Sequence, residues 1–304
     1  MKKVSSNSKG GGKKAKFKVV EELESKYPVS KICEKLEVSR AGYYKYIRNK
    51  GKVKKENKTE TELKDYITII FHEHDKNYGY RKIHAVLEDK YNLIVGEKVV
   101  RRLMHELGFK SQARKKNKKS VSENRVNNGA GHIYPNLLKR DFTTSKTSEK
   151  WVTDVTEFPI GNTKLFLSSL MDLHDNYILG YQLSESHDVQ LVEDTLIAAL
   201  KTRKKEEGII LHSDRGMPYR SNRWKELMIE HTIIPSMSRK ANALDNACAE
   251  SFFSFLKSER KQLKNIKNID EAKQIIHDYI DYYNHNRIQG VLDYKTPKQY
   301  AAAC

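Results

Sequence analysis

WVTDVTEFPIGNTKLFLSSLMDLHDNYILGYQLS, residues Trp151–Ser184, is the stretch whose reading decides the fold. β-Branched and aromatic residues crowd it, and WVTDVTEFPI reads as a first strand. Gly161-Asn162 is a turn signal before the second run, KLFLSSLMDL, and YILGYQLS makes a third. Pro159 is expected to close the first run. Connections this short favour antiparallel pairing. Further along, VQLVEDTLIAALKTRK is amphipathic at helical spacing through Leu191, Thr195, Leu196 and Leu200. GIILHSD then reads as a short apolar strand, RWKELMIEH as a helix and IIPSMS as a strand. Two helices follow, from about Asn246 to Lys264 and from Ile269 to Asn284. The order β-β-β-α-β-α-β-α-α predicts an α/β core with a mixed five-stranded sheet and flanking helices.

Toward the N-terminus the pattern is helical. Val29, Ile32, Cys33 and Leu36 recur at i, i+3, i+4, i+7. Glu37-Val38 breaks that helix, and Ser39 is a good N-cap for a second one from Arg40. The second helix is expected to turn Tyr44 and Ile47 inward and Arg40, Lys45 and Arg48 outward. Helix, short turn and Ser-capped basic helix is the helix-turn-helix pattern, although any small helical hairpin could give it. A second trio follows, marked by Leu63, Ile67 and Ile70, then Ile83, Val86 and Leu87, then Val99, Val100, Leu103 and Met104 before Gly108. Lys98, Arg101 and Arg102 lie on the polar face of its last helix. The expected organisation is a flexible basic tail (1–16), a helix-turn-helix segment (17–57), a second helical DNA-binding segment (58–110), a basic linker (111–148) and a catalytic core (149–304).

Charge divides the same way. Residues 1–150 hold 37 Lys and Arg against 18 Asp and Glu, and residues 151–304 hold 20 against 21. A polycationic half joined to a near-neutral one points to nucleic acid rather than to a merely solvated surface. Cys33, Cys248 and Cys304 are scattered, with no CxxC pair, which argues against a zinc finger or disulfide framework. No apolar run approaches the ~18 residues of a membrane span. The Lys-rich start has no apolar signal region. A reducing cytoplasm fits these features.

Chemistry enters with three carboxylates. Asp is disfavoured inside strands, yet Asp154 sits in the middle of one. Asp214 closes an apolar strand just before Arg215-Gly216, at the strand end where α/β sheets gather ligands. Glu250 lies on a helix with Cys248, Phe252, Phe255 and Leu256 along one stripe, and Lys257 shares the Glu250 side. Three carboxylates from separate elements suit divalent metal, because Mg²⁺ prefers oxygen ligands and keeps several waters. Two such ions about 4 Å apart would activate a nucleophile and stabilise the leaving oxygen of a phosphodiester. Spacing alone does not exclude a chance triple among 39 acidic residues.

These residues resemble a known family. WVTDVTEF, LHSDRGMPY, SMSRKANALDNACAESFFSFLKSE and YNHNRIQGVLDYKTPKQY resemble the retroviral-integrase-type core, of RNase H-like fold, of DDE transposases. The likeness is greatest to the second-frame product of the insertion-sequence-three family, and the 35 residues between Asp214 and Glu250 match that family's spacing. PVSKICEKLEVSRAGYYKY and YGYRKIHAVLEDKYNLIVGEKVVRRLMHELG resemble its helix-turn-helix segments.

The resemblance implies a DNA transposase that cleaves donor strands at element ends and joins them by transesterification. It implies Asp154, Asp214 and Glu250 as the catalytic, metal-binding triad, with two Mg²⁺ as cofactor and Mn²⁺ as an alternative. It implies that Lys257 contacts DNA near the triad. Arg239, Lys240 and Asn242, in the loop Ser238–Asn246, are expected to hold DNA, and Asn284 and Arg287 to support the catalytic face. Arg40, Lys45, Arg48, Arg101 and Arg102 are the expected DNA contacts of the helical segments, with Tyr43 a candidate for base contact. Expected partners are the terminal repeats and target DNA, further copies of the chain on DNA and a first-frame product, in a bacterial, nucleoid-associated setting. Ala241 stands where the family usually has Gly, which would strain the loop if φ is positive there. A non-catalytic DNA-binding regulator and an RNase H-like nuclease are the alternative readings.

Overall fold

The computed structural model describes residues 12–49, 58–112, 131–203, 208–240 and 242–303. The chain forms two compact units, one ending at Leu63 and the other beginning at Lys64.

The first unit holds α1 (Lys13–Leu23), α2 (Val29–Lys35) and α3 (Arg40–Asn49). Lys13–Lys16, expected at the end of the basic tail, form the first turn of α1, because Phe17, Val20 and Leu23 give that helix a face to bury. Residues 1–11 lie outside the described residues. Val20, Ile32, Cys33 and Tyr43 form the small core. The inward tyrosine of α3 is thus Tyr43, not Tyr44, which is half exposed. Tyr43 donates its hydroxyl to Glu24, so it is a core residue and not a reader of bases. Ser39 accepts from the backbone N–H of Gly42 at 3.0 Å, as an N-cap should.

The second unit opens within α4 (Lys58–Glu73), from Lys64, and continues with α5 (Tyr80–Tyr91) and α6 (Glu97–Glu106). Its sheet has the strands β1 (Lys150–Ile160), β2 (Thr163–Asp172), β3 (Ile178–Ser184), β4 (Ile210–Ser213) and β5 (Ile234–Met237), in the order β3-β2-β1-β4-β5. The first three form an antiparallel meander, and β4 and β5 run parallel to β1. Pro159 does not end β1 but sits inside it, opposite Lys164. Pairing with β4 stops at Val152↔His212, so the strand is an edge beyond that point, where a missing N–H is tolerated.

Period-two alternation sends the two faces of the sheet to different helices. Val152, Phe158, Ile160 and Leu167 pack with α9 (Ala247–Glu259) and α10 (Ile269–His285), through Phe252, Leu256, Ile276 and Tyr279. Trp151, Leu170, Leu211 and Met237 pack with α7 (Val189–Thr202) and α8 (Asn222–Glu230), through Val192, Leu196, Trp224 and Leu227. The helix expected to reach Lys264 stops at Glu259 and gives way to a 3₁₀ turn, Lys261–Lys264. A last helix, α11 (Pro297–Ala303), closes the chain.

Two expected boundaries differ from what is seen. Residues of the second helical segment bond to the core. His74 Nδ1 lies 3.0 Å from the Tyr282 hydroxyl, and Tyr78 donates to Asn286 O at 3.2 Å while accepting from Ile288 N at 3.0 Å. Arg260 pairs with Asp75 at 2.9 Å. The expected linker is, over residues 131–148, a polar strap on the core. His132 N donates to Arg220 O, Leu137 N donates to Ser236 Oγ, and Leu138 is buried. Its hold is made of hydrogen bonds, which leave no hydrophobic period. Residues 113–130 lie outside the described residues.

Candidate active site

Asp154 lies on β1 opposite Ser169, two residues past the point where β4 leaves that strand. Alternation places it on the α9 side of the sheet, with Val152 and Phe158. Its Oδ1 accepts from the N–H of Val155 at 2.9 Å. Asp214 follows the last residue of β4, and its Oδ1 accepts from Gly216 N at 2.8 Å. A Cβ on Gly216 would stand 2.9 Å from that oxygen, so a larger residue there would push the Asp214 carboxylate out of place. Glu250 is in the first turn of α9, exposed, where the helix dipole favours negative charge.

The electrostatics tie the three together. Burial pushes the Asp154 carboxyl well above the usual carboxylate range, the neighbouring Asp214 pushes it further, and Glu250 adds to the effect, while Lys257 opposes it. Burial likewise raises Asp214, opposed by Gly216 N–H and by His187. Among the described residues no three His, Cys, Asp or Glu side chains stand close enough to form a ready metal cluster. Each aspartate accepts from a backbone N–H one or two residues further along the chain. Glu250 reaches the same region from the exposed first turn of α9.

Lys257 faces the same side from two turns further along α9. It donates to Thr156 Oγ1 at 2.6 Å and stands 5.1 Å from the Phe158 ring centroid. Burial lowers its pKa, while Glu157 and Asp154 raise it.

The loop after β5 is organised by a residue that the sequence reading missed. Asp245 is fully buried and accepts from Arg239 N, Nε and Nη2, from Arg140 Nε and from Asn136 Nδ2, at 2.9–3.0 Å. These donors, Arg239 first, hold its carboxyl far below the usual range. Arg239, expected to hold DNA, spends its guanidinium on this carboxylate, although more than half of its side chain stays exposed. Asn242 accepts from Arg140 Nη2 at 3.1 Å, and Lys240 is exposed. Ala241 lies outside the described residues. His212 is buried between Ser236 Oγ (2.8 Å) and Ser238 Oγ (3.1 Å) and pins the start of the same loop to β4. Burial pulls its pKa down to about 4, so the ring stays neutral.

Asn284 and Arg287 make structural contacts. Asn284 Oδ1 accepts from Ile178 N at 2.9 Å and Nδ2 donates to Ile178 O at 3.0 Å, closing the start of β3. Arg287 forms a buried pair with Glu259 at 2.7 Å. Arg40, Lys45 and Arg48 are exposed on α3. On α6, Arg101 stacks over Tyr80 and Arg102 pairs with Glu106 at 2.8 Å. No described helix is long and apolar enough to cross a membrane.

Sheet order, carboxylates and preceding helices together define an integrase-type core of RNase H-like fold behind a helix-turn-helix-like region. Family models agree: integrase core domain over residues 145–243 and again over 250–303, and HTH-like domain over 58–117. The chain is 38% identical to the InsK protein of insertion sequence element IS150 from Escherichia coli K12, covering 93% of this chain and 97% of that one. It is 32% identical to the transposase for insertion sequence element IS904 from Lactococcus lactis, over 78% and 92%. It is 26% identical to the transposase InsF for insertion sequence IS3A from Escherichia coli K12, over 94% and 98%. Among solved structures, the HTLV-2 integrase catalytic core domain in complex with magnesium aligns with 52% of this chain and 99% of its own, at 16% identity and a TM-score of 0.43. The chain belongs to the insertion-sequence-three family of transposases.

Proposed function

We propose that this chain is a DDE-type transposase that cleaves DNA strands at the ends of its element and joins them to target DNA, with Asp154, Asp214 and Glu250 holding divalent metal. The observation that carries this reading is the placement of Asp154 on β1 and Asp214 just past the end of the adjacent parallel β4, where burial, then Asp214 and then Glu250 push the Asp154 carboxyl upward. Such a group is stable only when protonated or bridged by a cation. Its donors are all carboxylate oxygens, which suits Mg²⁺ or Mn²⁺.

Bound there, divalent metal would activate the attacking hydroxyl and offset charge on the leaving oxygen. The chain's own residues supply the rest. Gly216 and Val155 N–H groups orient the two aspartates. Lys257 places a fixed positive charge beside them for a backbone phosphate. Lys240 and the exposed parts of Arg239 and Arg140 line the loop where a strand would enter. Arg40, Lys45 and Arg48, with Arg101 and Arg102, would hold the terminal repeats through phosphates. Several copies on DNA and a first-frame product complete the proposed assembly, in a bacterial cytoplasm beside the nucleoid.

The test is strand transfer of a labelled element end with Mg²⁺ or Mn²⁺. Wild type should join it, and Asp154→Asn should reduce joining to background while still binding the end. Undiminished joining by Asp154→Asn rejects the site. End binding without cleavage by the wild type would favour a regulator.

A further inference from the structure

Asp245 and its neighbour Asn246 fasten the helix that bears Glu250 from two sides. Asp245 faces the loop and the 136–140 strap, as described above. Asn246, 3% exposed, faces the sheet: its Nδ2 donates to the carbonyl of Thr153 at 3.3 Å. Thr153 immediately precedes Asp154, and β4 has left this edge of β1, so the carbonyl is open to a side-chain donor. Thr153 is itself held, its Oγ1 donating to Ser169 O at 3.0 Å.

Asn246 also stands at the N-cap of α9, four residues before Glu250. Asparagine there ordinarily accepts from the first free N–H groups of the helix, a bond worth about 1 kcal/mol. Asn246 makes no such bond. Its Oδ1 is buried and has no partner among the described residues. A residue serving only to start the helix would cap it, and a purely structural buried amide would have both ends paired.

We propose that Asn246 is a positioning residue: it sets Glu250 against Asp154 by tying the N-cap of α9 to the strand carbonyl beside Asp154, with Asp245 as the opposing anchor. The inference rests on the metal-holding role proposed above for the three carboxylates.

The experiment measures Mn²⁺ binding to the full chain by electron paramagnetic resonance, with thermal melting alongside. Asn246→Ala, Asn246→Ser and Asp154→Asn are compared with wild type. Serine is a good N-cap but cannot reach Thr153 O, so it separates capping from positioning. Both Asn246 variants should bind Mn²⁺ about tenfold or more weakly, as for lost outer-shell partners of metal ligands, and melt close to wild type. Their strand transfer should recover at high Mn²⁺, whereas that of Asp154→Asn should not. Wild-type affinity in Asn246→Ser, or failure of both Asn246 variants to fold, overturns the positioning role. Unchanged Mn²⁺ binding in Asp154→Asn overturns instead the metal reading beneath it.

Discussion

Lys257 donates its ammonium to Thr156 Oγ1 at 2.6 Å, and Thr156 stands two residues beyond Asp154 on the same face of β1. The lysine is therefore tethered to the strand that carries the first aspartate, not waving in solvent. Its charge does two things: it lowers the repulsion that Asp154 feels, and it offers a fixed partner to a phosphate. Lys257→Met should cut strand transfer by roughly 10- to 100-fold, since a hydrogen bond to a charged group contributes about 1.5–3 kcal/mol. Lys257→Arg should restore part of it. Single-turnover joining rates, measured beside end-binding affinity, check this; equal rates in Lys257→Met and wild type would remove the residue from the site.

Arg287 and Glu259 form the most buried ion pair of the C-terminal helices, with side chains 6% and 8% exposed. The guanidinium also lies 4.3 Å from the Phe255 ring centroid. Removing one partner strands the other charge in a low-dielectric interior. Arg287→Ala should cost about 3–5 kcal/mol, and Arg287→Met with Glu259→Met should recover most of that. Urea unfolding of the three variants tests it. A single-variant loss below about 1 kcal/mol would show that water reaches the pair.

Lys82 packs beside that pair, with its ammonium 4.6 Å from the Tyr78 ring centroid. Burial, helped by the charge of Arg287, pulls its pKa from 10.5 down to about 7. The folded state therefore binds this proton less readily than the unfolded chain. Its favourable contribution is full above pH 10.5, is lost as pH falls toward 7, and changes no further below that. Lys82→Met should accordingly stabilise the protein, by on the order of 1–2 kcal/mol at pH 7 and by less at pH 9. Melting temperatures of both proteins at the two pH values provide the comparison, and a gain that grew with pH would contradict the assignment.

The meander is legible because its strands are rich in β-branched and aromatic residues and its connections are short, and Asp154 stands out as a carboxylate that no strand needs for stability. Asp214 reads as the end of an apolar run before Arg215-Gly216 and Glu250 as one face of an amphipathic helix, and only the family resemblance groups them with Asp154. What stayed hidden depends on contacts between distant segments. Tyr78 reads as a turn residue, and only the folded chain brings its hydroxyl to Ile288 N and Asn286 O. Arg140 looked like one more cation in a basic linker, and its pairing with Asp245 spans 105 residues. Arg239 belongs with it: a guanidinium in a basic loop gives no sign in the sequence of the buried carboxylate it pairs with. Pro159 misled because strand-breaking assumes neighbours on both sides, and β1 has only one there.

Gly180 shows how little room the fold leaves where α7 crosses β3. It pairs with Leu170 in the sheet, and a Cβ at this position would collide with Thr195 O and Ala199 N, the backbone of α7 itself. Neither atom can swing aside as a side chain would, because both belong to the helical hydrogen-bond ladder. The helix would have to lift from Leu179, Val192 and Leu196, which share its apolar core. Gly180→Ala should therefore cost at least the 1–3 kcal/mol typical of overpacking. Thermal unfolding should show a lowered midpoint, with soluble yield falling alongside. Gly96→Ala is the control, since a Cβ there meets nothing within 4 Å, and it should melt within a few degrees of wild type. If the two variants melt alike, α7 does not approach β3 as closely as its contacts indicate.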